Sequence, residues 1–221
     1  ESKRGEAVAR RIRRTAKRTA RNIISQYADS SFKPMQMEFV FGQNGISPIL
    51  LELADGTFVY LQGRIDRIDM TADGAVRIID YKSGGKKFDP TLVYWGLQLQ
   101  LLLYMAAAVA RIPESRAAGF FYCRVADPTV KTEIRMKEEV EKQIAKKLAL
   151  SGMSDVSILR AQGGAQAGMV TKDGKPNGRY ASSMVTDEGM EHLIAFARNK
   201  ATTLAGDIYA GIIDDSPYER G

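Results

Sequence analysis

Cysteine, histidine and tryptophan each occur once in these 221 residues. A single Cys123 excludes an internal disulfide and fits a reducing cytoplasm, the expected location. Cys123 and the lone His192 cannot form a Cys/His zinc cluster. His192 falls in the last predicted helix and reads as a surface or packed side chain. Long apolar runs are also lacking. The longest, residues 101–110, is too short to span a bilayer, so no membrane partner is expected. The basic N-terminus is not followed by an apolar core, which excludes a visible signal peptide. No Gly-x-x-x-x-Gly-Lys-Ser/Thr run is present, so no ATP site is expected. There is no internal repeat.

What is present suits one globular domain over residues 1–221: 44% of the residues are hydrophobic and 26% charged. The net charge of +6 is concentrated at the start, where residues 1–22 hold nine cations against Glu1 and Glu6 and the rest of the chain sums to −1. Ala9, Ile12, Ala16, Ala20, Ile23 and Tyr27 recur at helical spacing with arginines around them, which predicts an amphipathic basic helix up to residue 29. Its partner is a nucleic-acid backbone, with Arg11, Arg14 and Arg18 as contacts, or it is a solvated face. The chain opens without methionine, inside what reads as a helix, and is expected to be part of something larger.

Residues 35–41 alternate and predict a strand. The β-rich runs 57–69 and 75–81, joined by Ala72-Asp73-Gly74, predict a hairpin. Asp89-Pro90-Thr91 opens a helix expected to run to Arg111, and residues 118–125 predict a buried strand. Together, residues 35–125 form the expected catalytic core. Residues 133–221 are expected to be helical, with helices from Glu133 to Leu148 and from Thr186 to Tyr209 and a mobile loop over 161–180. The order α-β-β-β-α-β followed by further helices predicts a mixed central sheet flanked by helices, an α/β fold.

Within the hairpin, Gly63-Arg64-Ile65-Asp66-Arg67-Ile68-Asp69 precedes Ile78-Ile79-Asp80-Tyr81-Lys82-Ser83-Gly84. Residues two apart on a strand share a face, so Asp80 and Lys82 project together, with Tyr81 opposite. Asp66 on the neighbouring strand can approach Asp80. Two carboxylates this close repel unless a cation lies between them, and Mg²⁺ takes oxygen ligands. A lysine beside such a cation can orient water or neutralise charge on a phosphorane-like transition state. Asp-x-Lys alone is common and mostly marks a surface ion pair. Here it sits at the end of a buried strand, where unpaired charge is costly. Gly63 permits close backbone approach.

These two motifs, with Gly96-Leu97-Gln98-Leu99-Gln100-Leu101-Leu102-Leu103-Tyr104, resemble the RecB-like branch of the PD-(D/E)XK nuclease superfamily, and within it the AddB-type nuclease domains of bacterial helicase–nucleases. Met37-Glu38-Phe39-Val40-Phe41-Gly42, Ile208-Tyr209-Ala210-Gly211 and Ser216-Pro217-Tyr218 add to the likeness. The resemblance implies a restriction-endonuclease-like core. Asp66, Asp80 and the Tyr81 backbone carbonyl would be ligands of Mg or Mn, Lys82 the catalytic lysine, and Glu38 a further metal-site candidate. Gln100 and Tyr104, one helical turn apart, would contact DNA or position active-site groups. Gln98 is a secondary DNA-binding candidate.

The upstream histidine usual in RecB-like sites is not found here. AddB-type domains hold an iron–sulfur cluster through one upstream and three downstream cysteines. Cys123 does not match them, so a cluster is expected only in a full-length parent. The resemblance further implies a deoxyribonuclease acting on single-stranded ends, the 5′-terminated strand for AddB, beside an AddA-type helicase partner in recombinational repair of double-strand breaks. The alternatives are a non-catalytic DNA-binding or scaffolding module, and a stand-alone exonuclease.

Overall fold

The β-rich centre of the sequence forms the middle of a six-stranded sheet in the computed structural model, which describes residues 2–43, 46–130, 137–166, 169–171, 173 and 175–212. In chain order the elements are α1 (Lys3–Gln26), β1 (Lys33–Phe41), β2 (Ile49–Glu52), β3 (Phe58–Leu61), β4 (Gly63–Met70), β5 (Ala75–Lys82), α2 (Pro90–Tyr94), α3 (Gln100–Val109), β6 (Arg116–Arg124), α4 (Lys137–Leu148), β7 (Ser151–Asp155), β8 (Met184–Val185) and α5 (Asp187–Tyr209). Short 3₁₀ segments cover Val156–Gln166 and Gly178–Ser183.

The sheet runs β1-β4-β5-β6-β7-β8. The β1/β4, β4/β5 and β6/β7 pairs are antiparallel, and β5/β6 and β7/β8 are parallel. This is the expected mixed α/β sheet. The β4–β5 hairpin forms as expected, turning at Gly74 with φ 83°. The parallel β5/β6 pair needs a crossover, which α2 and α3 supply.

Side-chain alternation separates the two faces of the sheet. Ile68, Ile78 and Phe120 pack with Leu101, Leu102 and Met105 of α3 and with Met190 and Ala197 of α5. Each such side chain, fully buried, contributes roughly 1.5–3 kcal/mol. On the opposite face Ile79, Phe121 and Cys123 form a smaller cluster, and the Gln26 amide of α1 lies 3.5 Å from Cys123 Sγ.

Several elements depart from expectation. The run 57–69 is two strands: β3 leaves the main sheet and pairs with β2, a short Ile-Leu-Leu-Glu strand that carries little pattern of its own. The helix expected from residue 89 to 111 is broken. Gly96, at φ 83°, ends the first turns, and α3 begins only at Gln100. Only Gln26 of α1 is buried, and Val8, Ile12 and Ile24 stay exposed. The helix is instead held by polar contacts, since Arg14 and Arg18 reach Asp127 at 3.2 and 2.8 Å and Arg18 reaches Glu141 at 3.0 Å.

The part expected to be helical after residue 133 adds β7 and β8 to the sheet; Ser-Gly-Met-Ser-Asp has none of the β-branched or aromatic residues that mark strands. The final helix starts as expected, with Thr186 Oγ1 accepting from the Gly189 N–H at 3.1 Å. Residues 133–136 and Ser216-Pro217-Tyr218 lie outside the described residues. No helix is long and apolar enough to cross a membrane among them.

Candidate active site

The β4/β5 ladder ends at the Arg67↔Ile79 pair. One step further the same register sets Asp66 against Asp80. There the Tyr81 N–H donates not to a strand carbonyl but to Asp66 Oδ2, at 2.7 Å. Along a strand, a residue's N–H and C=O point the same way, so the Tyr81 carbonyl also faces β4 where the ladder has stopped. The backbone thus opens between two carboxylates.

Asp80 follows Ile78 on the α3 face and is only 3% exposed. Lys82, two residues on, places Nζ 2.5 Å from Asp80 Oδ2. The contact is an ion pair, and Lys82 is the one partner of that buried oxygen among the described residues. Burial raises the Asp80 pKa above the ordinary carboxylate value. Lys82 opposes the rise, nearby Asp66 adds to it and Lys86 opposes it. A buried carboxylate with an underused oxygen, facing a second carboxylate and a backbone carbonyl, is an oxygen-rich donor set that suits a hard divalent cation.

Gln100 and Tyr104 come from the first two turns of α3. The Gln100 amide donates to the Tyr104 hydroxyl at 3.1 Å, and the Tyr104 ring meets Phe41 edge-on at 5.9 Å. Gly63 makes this approach possible, because a Cβ there would lie 2.8 Å from the Phe41 ring and 3.0 Å from Tyr104.

The remaining expected residues fall elsewhere. Gln98, in the break before α3, is 6% exposed. Its amide nitrogen donates to the Lys87 carbonyl at 3.0 Å, and its oxygen accepts from the Asp89 N–H at 3.1 Å. It shapes the loop after β5 rather than presenting a free amide. Glu38 stands opposite Asp66 in the β1/β4 register, but with φ 51° it is exposed, and its ion pair is with Arg64 at 3.9 Å. Among the described residues no group of three or more His, Cys, Asp or Glu is placed to hold a metal, so Glu38 does not join Asp66 and Asp80. Of the three α1 arginines, Arg14 and Arg18 are engaged by Asp127, while Arg11 is exposed.

Sequence reasoning missed Tyr122. It pairs with Asp80 across the β5/β6 register, is 1% exposed, and its hydroxyl has no hydrogen-bond partner. Burial, then the charge of Asp80, pushes its pKa up to about 12, so it stays a proton donor. Its only sequence signal was its place within a strand expected to be buried.

A mixed sheet whose antiparallel hairpin carries two facing aspartates and a lysine, with a helix laid across it, defines a nuclease-like α/β fold. The PD-(D/E)XK nuclease superfamily model matches residues 1–214, and the chain belongs to that superfamily. Its similar relatives include three bacterial proteins that share one name, the B-type component of an ATP-dependent helicase/deoxyribonuclease. The one from Alkaliphilus metalliredigens is 35% identical over 96% of this chain and 20% of its own length. The one from Clostridium botulinum is 36% identical over 99% and 21%, and that from Acetivibrio thermocellus 34% over 99% and 21%. The chain thus spans about a fifth of the length of these relatives.

Proposed function

We propose that this site hydrolyses phosphodiester bonds in DNA, as the nuclease part of a helicase–nuclease that processes broken ends for recombinational repair beside an AddA-type partner. The observation that carries the reading is the buried Asp80 carboxylate, held near a second aspartate with Lys82 beside it on the same strand face. Two carboxylates brought together at that depth repel unless a cation offsets them. The names of the relatives support the helicase–nuclease setting.

Asp66, Asp80 and the Tyr81 carbonyl would hold the divalent cation, Mg²⁺ or Mn²⁺. When bound, the cation supplies Lewis-acid activation of the phosphate and of the attacking water. The Lys82 ammonium, fixed by β5 on the same face as Asp80, neutralises charge developing on the phosphoryl oxygens. The Tyr81 N–H keeps the Asp66 carboxylate oriented. Gln100 and Tyr104, paired with each other, offer a hydroxyl and an amide to the substrate from α3.

The test is cleavage of single- and double-stranded DNA with Mg²⁺ or Mn²⁺ by wild type and Lys82→Ala. Metal-dependent cleavage lost in Lys82→Ala is expected. Equal cleavage by the two proteins would falsify the assignment.

A further inference from the structure

Two tasks compete for the one ammonium of Lys82. Its Nζ lies 2.5 Å from Asp80 Oδ2, an oxygen sealed from solvent and with no other partner among the described residues. To neutralise charge on a phosphoryl oxygen, the same ammonium must turn outward, away from Oδ2. That turn strands a buried anionic oxygen. The loss is larger than at the surface, because water cannot step in as the replacement donor.

Tyr122 is placed to be that replacement. In the parallel β5/β6 register it stands directly beside Asp80, and residues paired across a ladder share a face. It is 1% exposed, and its buried hydroxyl has no hydrogen-bond partner among the described residues. Packing alone gives no reason for this phenol. Its chain neighbours Phe120 and Phe121 fill the same sheet with plain rings, and an orphaned buried hydroxyl forfeits a hydrogen bond. Burial, then the charge of Asp80, pushes its pKa up to about 12, so at neutral pH it has a proton to share. Lys82 Nζ lies 5.7 Å from the centre of its ring, which joins ammonium, carboxylate and phenol in one cluster.

Lys86 is the competing donor, with Nζ 4.9 Å from the same ring centre. Its side chain is exposed. Seating its ammonium on Oδ2 requires stripping water from a full charge. The phenol is already desolvated, and a hydroxyl proton rotates to suit its acceptor.

We propose that Tyr122 is a positioning residue of the candidate site: when Lys82 leaves Asp80 for the phosphate, the Tyr122 hydroxyl donates to Asp80 Oδ2 in its place and keeps the carboxylate ionised and aligned. The phenol retains its proton, and only hydrogen bonds are exchanged. The consequence for turnover rests on the reading of the site as a phosphodiesterase. The donor exchange itself is tested apart from that reading, by folding without metal or DNA.

The experiment is a double-mutant cycle in urea denaturation at pH 8 in EDTA, with Tyr122→Phe, Lys82→Met and the two together. Methionine keeps much of the lysine stem and removes the ammonium. With Lys82 in place, Tyr122→Phe should change the unfolding equilibrium constant by less than about threefold. With Lys82→Met the phenol already serves Oδ2, and the same substitution should raise the unfolding constant about ten- to hundredfold, the scale of a hydrogen bond to a charged group. A parallel cycle with Lys86→Gln in place of Tyr122→Phe should be additive. In DNA cleavage with Mn²⁺, Tyr122→Phe should lower kcat by about tenfold and leave KM unchanged, because the hydrogen bond forms only after Lys82 has been drawn away.

Equal costs of Tyr122→Phe in the two backgrounds, a large cost with Lys82 in place, or coupling to Lys86→Gln instead would each overturn the proposal. So would wild-type kcat in Tyr122→Phe beside an inactive Lys82→Ala. If the cycle couples as expected while Lys82→Ala cleaves like wild type, the donor exchange stands and the catalytic assignment fails.

Discussion

One sheet carries two clusters of buried charge, on opposite faces and a few residues apart. On the α1 face, Asp69 sits between Arg67 and Arg77, all three fully buried. Here nearly every group has a partner. Asp69 takes Arg67 Nε at 3.2 Å, Arg77 Nε at 2.9 Å and the Tyr27 hydroxyl at 3.0 Å. Arg67 continues to Gln26 Oε1 and the Tyr81 hydroxyl, both at 2.8 Å, and Arg77 to Gln162 Oε1 at 3.0 Å. The Arg77 guanidinium also stacks over Phe32 at 4.5 Å. On the α3 face, Asp66 and Asp80 face each other with Lys82 ion-paired to Asp80, and the Tyr122 phenol has no hydrogen-bond partner. The saturated cluster is closed by hydrogen bonds and ion pairs except at one Arg77 nitrogen, and it ties α1, β4 and β5 together; the undersaturated one sets two carboxylates beside Lys82 and holds capacity for a ligand.

The contrast breaks most visibly at Asp69. Asp69→Ala leaves two buried guanidiniums without their carboxylate, and the stability loss by urea denaturation should be about 3–5 kcal/mol, the scale for splitting a buried pair. A loss under about 1 kcal/mol would show that the Arg67–Asp69–Arg77 network is not structural.

Lys82→Ala, in the other cluster, should reverse the pattern. Turnover should fall by about 10²–10³-fold, the scale for removing one preorganised electrostatic group. The urea midpoint should stay near wild type.

Asp80→Asn sharpens the comparison through pH. The folded-state pKa of Asp80 is raised, so its ionised form is penalised by folding at neutral pH. Without metal, Asp80→Asn should therefore melt higher than wild type at pH 7. The difference should shrink as pH falls through the raised pKa and vanish below the ordinary value of about 3.9. Added Mn²⁺ should raise the Tm of wild type and not of the variant. A variant that melts lower at pH 7, or a gap that widens on acidification, contradicts the sign.

The smallest pair of effects concerns two phenols whose pKa values are both pushed up to about 12. Tyr27→Phe loses a hydrogen bond to a buried carboxylate and should cost about 1.5–3 kcal/mol. Tyr122→Phe removes an unpartnered hydroxyl and should change stability by no more than about 0.5 kcal/mol, the range of substitutions that break no interaction. Similar costs for both would mean that Tyr122 is structurally engaged after all.

Much of the undersaturated face was legible in advance. Strand period alone puts Asp80 and Lys82 together, and the turn at Ala72-Asp73-Gly74 brings Asp66 across from them. The saturated face was not. Arg67, Asp69 and Arg77 read as ordinary strand charges, because nothing in one sequence says that a charge on a sheet face will meet polar partners from a helix far back in the chain. The docking of α1 was out of reach for the same reason: its spacing predicts an amphipathic basic helix, but not that Asp127 holds its arginines. Gly96 was visible, yet its power to break the helix depends on a backbone angle that composition does not reveal.

The two facing aspartates belong to a hairpin closed at Gly74, so their meeting needs only a short stretch of chain. Hairpins of this kind assemble in roughly 1–10 μs, whereas the parallel β5/β6 pairing that buries Asp80 must wait for the α2–α3 crossover and a longer loop closure. If the hairpin closes first, the carboxylates come together while still hydrated, when their mutual repulsion is weak. Desolvation follows as the later strand arrives. That order of assembly would let the chain pass the electrostatically unfavourable stage in water and seal it only once the surrounding sheet can hold it.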